Sequence, residues 1–118
     1  MTFRETLQAH LSAIQARDLQ ALAATVAPDR LVLIMADGKL VRSSAEFLEA
    51  HRGWFALKDW TLATTEVAVF ESAQLGVAVL ELDYREPPAT RSRSYLTLVF
   101  ERHGERWLMV QDQNTPIK

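Results

Sequence analysis

The stretch Ser94–Gln113, SYLTLVFERHGERWLMVQDQ, decides the fold of this chain. Two segments with apolar residues at alternating positions flank His103-Gly104, and this pattern predicts an antiparallel β-hairpin with a two-residue loop. With these two residues as the loop, Phe100 lies opposite Trp107. The side chains of both strands then divide into two faces.

The two predicted faces differ in size and polarity. The face with the larger apolar groups is predicted to pack against the helices. Its apolar members are Leu96, Leu98, Phe100, Trp107 and Met109. Farther along the second strand of the hairpin, the same face becomes polar at Gln111 and Gln113. A gradient from apolar to amide side chains is typical of a pocket with a closed bottom and a polar wall. The other face carries Tyr95, Thr97, Val99, Leu108, Val110 and Asp112. It is moderately apolar, which predicts a dimer contact on the outer side of the sheet.

Two further long strands are predicted upstream, over about 60–71 and 74–86. Alternation in the second strand turns Leu82 and Tyr84 inward. In the first strand, apolar residues occur at both even and odd positions, so simple alternation would place them on opposite faces. A bulge near Glu66 would bring them to the same face.

The N-terminal half of the chain predicts helices and a short hairpin. Thr2-x-x-Glu5 and Ser43-x-x-Glu46 are capping boxes, and Asp18 can cap a short helix between them. The apolar run from 31 to 36, followed by Asp37-Gly38, predicts a strand and a tight turn. Helices that precede a strand meander indicate the α+β class, with the three helices covering one face of the sheet.

Composition limits the kind of protein. The chain has 118 residues, of which 48% are hydrophobic, with a net charge of −2 and no cysteine. These values predict one domain over residues 1–118 and give no indication of a nucleic-acid partner. No apolar run is long enough for a membrane span and no leader pattern is present, so we expect no membrane partner and a cytoplasmic location. No metal-ligand spacing or glycine-rich phosphate loop occurs, so we expect neither a metal nor a cofactor.

His51 is the candidate catalytic residue. It lies at the centre of the apolar face of the third predicted helix, between Phe47 and Trp54. It could act as a general base in a pocket, or it could be a core histidine bonded to a backbone carbonyl; the sequence leaves both open. Asp112 and Asn114 have the opposite parity to the two glutamines. We expect Asp112 on the outer face or at an interface, with placement in the pocket as the alternative.

Several segments resemble the SnoaL-like branch of the nuclear transport factor 2-like superfamily, which has a cystatin-like fold. They are ADGKLVRSS (36–44), EFL (46–48), HRGWF (51–55) and WLMVQDQNTPI (107–117). The resemblance implies a cone-shaped α+β fold, with three N-terminal helices packed on a curved, mainly antiparallel sheet. It also implies a pocket inside the cone and a homodimer, but no particular reaction, because one fold carries many functions. The catalytic carboxylate of ketosteroid isomerases would fall near Met35, so that activity has little support.

Three functions follow as hypotheses. The first is binding of a small apolar or weakly polar molecule in a pocket lined by Met35, His51, Trp54, Phe55, Leu82, Tyr84, Met109, Gln111 and Gln113. The second is an enzyme of the cyclase or isomerase type with His51 as its general base. The third is a stand-alone dimerisation domain.

Overall fold

A computed structural model describes all 118 residues, which form three helices and six strands. The helices are α1 (Phe3–Gln15), α2 (Leu19–Ala23) and α3 (Ser44–Ala56); the strands are β1 (Val32–Ile34), β2 (Leu40–Val41), β3 (Thr61–Glu71), β4 (Leu75–Glu86), β5 (Thr90–His103) and β6 (Arg106–Pro116). The predicted α+β class is confirmed. The three predicted helices are present, but only α1 and α3 are long: α2 has five residues, and α3 follows the β1–β2 hairpin.

The helices begin where the sequence places their caps. Thr2 and Glu5 form a complete capping box before α1, and the Asp18 side chain accepts the backbone N–H of Ala21 before α2. The Ser43 side chain accepts the Glu46 N–H at the start of α3. These bonds satisfy donors that the first turn of a helix otherwise leaves free.

All six strands form one curved sheet in the order β2-β1-β6-β5-β4-β3. Every pairing is antiparallel except that of β1 with β6, which is parallel. The bulge predicted near Glu66 is confirmed, since the β3–β4 register shifts between Glu66 and Ala68. Bulges of this kind bend a strand and increase its twist, so they help the sheet to curl.

The predicted register of the β5–β6 hairpin is wrong in two respects. The loop lies one residue later, because His103 pairs with Arg106, and Phe100 therefore lies opposite Met109. Farther from the turn the register shifts again, because Phe100 pairs with Met109 whereas Val99 pairs with Gln111, which leaves Val110 without a partner on β5.

The bulge at Val110 marks the point where β6 changes its other neighbour. Met109 exchanges backbone hydrogen bonds with Thr25 and Ala27, at 2.8 Å and 3.0 Å, whereas residues 111–113 pair with β1. The extra residue reverses the parity of the strand beyond it. Asp112 and Asn114 therefore point inward, and Gln111 and Gln113 take the outer face.

The hydrophobic core fills only one end of the space under the sheet. Phe3 on α1 is fully buried and packs on Phe100 and Trp107, with ring centroids 5.6 Å apart in both pairs. Gly76 on β4 lies directly beneath the Phe3 ring. Toward the other end of β4 and β5, the inward residues are only partly buried, and a cavity remains. None of the three helices is long and apolar enough to cross a membrane.

Candidate functional site

A cavity of about 450 Å³ lies between α1, α3 and the inner face of the sheet. Its size is in the range found for small-molecule sites. Eighteen residues line it, eleven of them hydrophobic, and none is lysine or arginine. Asp112 and His51 are the lining residues that can ionise near neutral pH.

The structure brings together five of the nine residues that the sequence assigns to a pocket. Met35, His51, Trp54, Leu82 and Tyr84 all line the cavity.

The other four residues lie elsewhere. Phe55 and Met109 are buried in the hydrophobic core, where side-chain packing leaves them no contact with the cavity. Gln111 and Gln113 lie on the outer face because of the bulge at Val110, and their side chains approach each other at 3.5 Å.

Asp112 is the main polar group of the cavity, and its expected position on the outer face is wrong. Its side chain is only 6% exposed, and the Asn114 amide donates a hydrogen bond of 2.9 Å to its carboxyl oxygen. The same amide donates to the Ile34 carbonyl at 3.3 Å, which fixes its orientation. Burial raises the pKa of Asp112 to about 7, and the hydrogen bond from Asn114 offsets only part of this effect.

The sequence contains a weak signal for this arrangement. An Asp-x-Asn pair follows the apolar segment 107–110, and period-two alternation keeps the two side chains on one face. Which face they share depends on the bulge at Val110, and nothing in the local residue types marks that position.

His51 is bonded to a backbone carbonyl, as expected of a core histidine, and it also lines the cavity. Its Nδ1 lies 2.8 Å from the Phe47 carbonyl, so Nδ1 carries the proton and donates to helix backbone. Its Nε2 has no hydrogen-bond partner in the protein, and the residue lines the cavity. Burial lowers the pKa of His51, so the ring is neutral at neutral pH and Nε2 can accept a hydrogen bond.

Aromatic side chains form one wall of the cavity. The Trp54 ring stacks on Trp60 with centroids 4.2 Å apart and an interplanar angle of 18°. The Trp54 Nε1–H points to the Tyr84 hydroxyl at 3.4 Å, which leaves the hydroxyl proton of Tyr84 free to donate.

Asp112 and Tyr84 line the cavity from backbone positions that are well separated along the sheet. Asp112 pairs with Leu98, whereas Tyr84 pairs with Ser92, six residues along β5. At about 3.3 Å per residue, this separation is roughly 20 Å along the strand. The two residues therefore line different parts of the cavity.

His10 is a second buried histidine that the sequence analysis did not single out. Its Nδ1 lies 2.8 Å from the Thr25 hydroxyl, which donates to the Leu22 carbonyl, so Nδ1 carries the proton. Its Nε2 is buried without a partner. Burial, with a smaller effect of nearby His51, lowers the pKa of His10 to about 3. No group of three or more potential ligand residues is arranged to hold a metal ion.

A family model for the SnoaL-like domain matches residues 4–115. The chain belongs to the SnoaL-like domain family. The match covers both the cavity and the sheet, and it confirms the resemblance seen in the sequence. No curated protein matches the chain.

Solved structures show the same fold at low sequence identity. A candidate calcium/calmodulin-dependent protein kinase type II association domain from Thiobacillus denitrificans is 19% identical, with a TM-score of 0.85 over 99% of this chain and 96% of that one. A candidate NTF2-like dehydratase from Streptomyces avermitilis is 15% identical, with a TM-score of 0.85 over 98% and 93% of the two chains. A candidate ketosteroid isomerase from Shewanella frigidimarina is 17% identical, with a TM-score of 0.81 over 94% and 92%. At these identities the likeness concerns the nuclear transport factor 2-like, cystatin-like fold alone.

Proposed function

We propose that this SnoaL-like protein binds a small, uncharged, largely apolar molecule and moves a proton on it, with Asp112 as the general acid–base. One observation carries the proposal. A carboxyl group lies buried in an apolar cavity, and burial raises its pKa to about 7. A group with this pKa can both accept and release a proton near neutral pH, which efficient acid–base catalysis requires.

The lining of the cavity favours an uncharged ligand. No lysine or arginine lines it, so an anionic ligand would lose its hydration without gaining a counter-charge. His51 is neutral at neutral pH because burial lowers its pKa. Its Nε2 can accept a hydrogen bond from a hydroxyl group of the ligand, which makes it an orienting group.

The reaction that fits best is proton transfer at a carbon next to a carbonyl group. Such a carbon is weakly acidic, and a buried carboxylate is a stronger base than a hydrated one. Isomerisation, ring closure and loss of water all include this step, and two structural relatives carry the names of a candidate isomerase and a candidate dehydratase. His51 as the general base is the alternative, but its lowered pKa makes it a weaker base.

The test is hydrogen–deuterium exchange at the α-carbon of 2-tetralone in D₂O, followed by proton NMR. We expect the wild-type protein to accelerate exchange and Asp112→Asn to remove the acceleration. Asp83→Asn is the matched control, because Asp83 is a carboxylate on the outer face of the sheet and pairs with Arg91. Acceleration that survives Asp112→Asn and disappears in His51→Gln would contradict the assignment of the base.

A homodimer through the outer face of the sheet is part of the proposal. Phe70, Val77 and Val99 lie next to one another across three strands of this face, and Phe70 is 64% exposed. Ion pairs of Asp83 and Glu81 with arginines on β5 border this apolar strip. A dimerisation domain without a ligand is the alternative if no small molecule binds in the cavity. The cytoplasmic location remains a prediction from the sequence.

A further inference from the structure

Arg17 has a backbone conformation that is unusual for its residue type. It follows the C-cap of α1 with a φ of +55°, in the left-handed region where glycine is the usual residue. The Arg17 N–H donates to the Ile14 carbonyl, and the Asp18 N–H donates to the Ala13 carbonyl, as at a helix end closed by glycine. Glycine would form the same turn without strain, so the arginine side chain calls for an explanation.

The Arg17 side chain reaches across to the segment between α3 and β3. Its guanidinium group donates to the backbone carbonyls of Leu57, Lys58 and Trp60. It also lies over the Trp60 ring, 3.7 Å from the centroid, in a cation–π contact. One side chain thus fixes both the backbone of this segment and the ring of Trp60.

The Trp60 ring transmits this constraint to the cavity. Its Nε1–H donates to the Trp54 carbonyl at 3.0 Å, and its ring stacks on the Trp54 ring. Trp60 is only 2% exposed, whereas Trp54 lines the cavity. Trp60 covers one face of the Trp54 ring. Only the rest of the Trp54 ring is therefore available to contact a ligand.

We propose that Arg17 is a positioning residue that holds the plane of Trp54 through Trp60, and that this wall receives a flat, conjugated ring of the ligand. This inference rests on the proposed binding of a small molecule in the cavity. A flat ring can stack on Trp54 and so add one layer to the stack formed by Arg17, Trp60 and Trp54. A bulky aliphatic group contacts the same wall over a smaller area.

The first test measures the geometry of the tryptophan pair without any ligand. Two stacked indoles give an exciton couplet in circular dichroism, which depends on the angle and distance between the rings. We expect Arg17→Gly to diminish the couplet even though glycine fits the turn without strain. Arg30→Gln is the control, because Arg30 is an exposed arginine paired with Glu101, outside the cavity lining. An unchanged couplet in Arg17→Gly would overturn the positioning role.

The second test compares a flat probe with a bulky one by isothermal titration calorimetry. The probes are 1-aminoanthracene, which is planar, and 1-adamantanol, which is apolar and nearly spherical. We expect Arg17→Gly to weaken binding of 1-aminoanthracene by about tenfold while binding of 1-adamantanol changes by less than about twofold. Arg17→Lys should recover part of the loss, because lysine keeps the charge but cannot bond several carbonyls in one plane.

The outcomes separate this inference from the proposed function. Equal losses for both probes would indicate a general structural role for Arg17 and would overturn the inference alone. The same conclusion follows if the wild-type protein binds 1-adamantanol as tightly as 1-aminoanthracene. If neither probe binds the wild-type protein, both the ligand cavity and the ligand class proposed for it are wrong.

Discussion

Asp112 and His10 are both buried, and burial shifts their pKa values in opposite directions because it favours the neutral form of each. The pKa of Asp112 rises from 3.8 to about 7, and the pKa of His10 falls from 6.5 to about 3. Between pH 3.8 and 6.5 the folded protein therefore holds an extra proton at Asp112 and lacks one at His10. Their contributions to the slope of the free energy of unfolding against pH therefore have opposite signs in this window and largely cancel.

Asp112→Asn should stabilise the protein at high pH. In the wild type, unfolding releases the Asp112 proton between pH 3.8 and about 7, so stability from this group falls as pH rises through that window and stays low above it. We expect the variant to be more stable than the wild type at pH 8 by on the order of 2–4 kcal/mol, and equally stable near pH 4. Urea unfolding at both pH values measures this, and equal stability at pH 8 would show that Asp112 is hydrated.

His10→Leu should change how the free energy of unfolding depends on pH. In the wild type, the unfolded chain takes up a proton at His10 below pH 6.5 while the folded protein does so only near pH 3. Stability from this group therefore rises with pH across that range. Without His10, the free energy of unfolding should fall more, or rise less, from pH 4 to pH 7 than in the wild type, because only the lowered pKa of His51 then opposes the effect of Asp112. The same urea titrations measure this change. If the free energy of unfolding of His10→Leu depends on pH as that of the wild type does, the His10 imidazole is not held neutral by burial.

At the scale of elements, the helix starts and the antiparallel pairing of β3 to β6 in chain order were predictable, but the register of β6 was not. Thr2, Asp18 and Ser43 mark helix starts because a side-chain oxygen at these positions satisfies local backbone donors. The inward direction of Leu82 and Tyr84 follows from alternation within β4. The inward direction of Asp112 does not follow from alternation. It depends on which residues of β6 bond to residues 25–27 and which pair with β1. Tertiary contacts determine this pairing. Because Val110 is left unpaired, the side chains beyond it point to the opposite face from the one that simple alternation predicts.

Two glycine substitutions test how closely the elements pack. A Cβ on Gly76 would lie 2.5 Å from the Phe3 ring, which is fully buried and has no space to move. Gly76→Ala should therefore destabilise the protein by about 1–3 kcal/mol. Gly53→Ala is the matched control in α3, where nothing lies within 4 Å, and it should stabilise by about 0.5–1 kcal/mol. Thermal unfolding of both variants measures the difference, and a neutral Gly76→Ala would mean that α1 packs loosely on β4.

At the scale of the molecule, the cavity follows from uneven filling beneath a curved sheet. Phe3, Phe100 and Trp107 fill one end, and their size and alternation made that part of the core predictable. The lining by Met35, His51 and Trp54 was also predictable, because these residues lie on one face of a helix or strand. The buried carboxyl was not predictable, so the sequence alone favoured a histidine as the general base.

The outer face gives a prediction about assembly. Val99 lies in the apolar strip between Val77 and Gln111. Val99→Lys would place a charge in the proposed contact, and we expect it to convert a dimer to a monomer. Light scattering coupled to size-exclusion chromatography measures the mass, with Gln20→Lys on the exposed surface of α2 as the control. A wild-type protein that is monomeric at high concentration would contradict the proposed homodimer.

The most direct test of the central claim is a carbon-13 NMR titration of the Asp112 carboxyl group, assigned by its disappearance in Asp112→Asn. We expect a titration midpoint near pH 7, since burial raises the pKa of Asp112 to about 7. Addition of an uncharged ligand that fills the cavity should raise the midpoint further, because it removes more water from the carboxyl group. A midpoint near the ordinary aspartate value of about 4 would contradict the account, since it would mean that Asp112 is hydrated and cannot exchange protons near neutral pH.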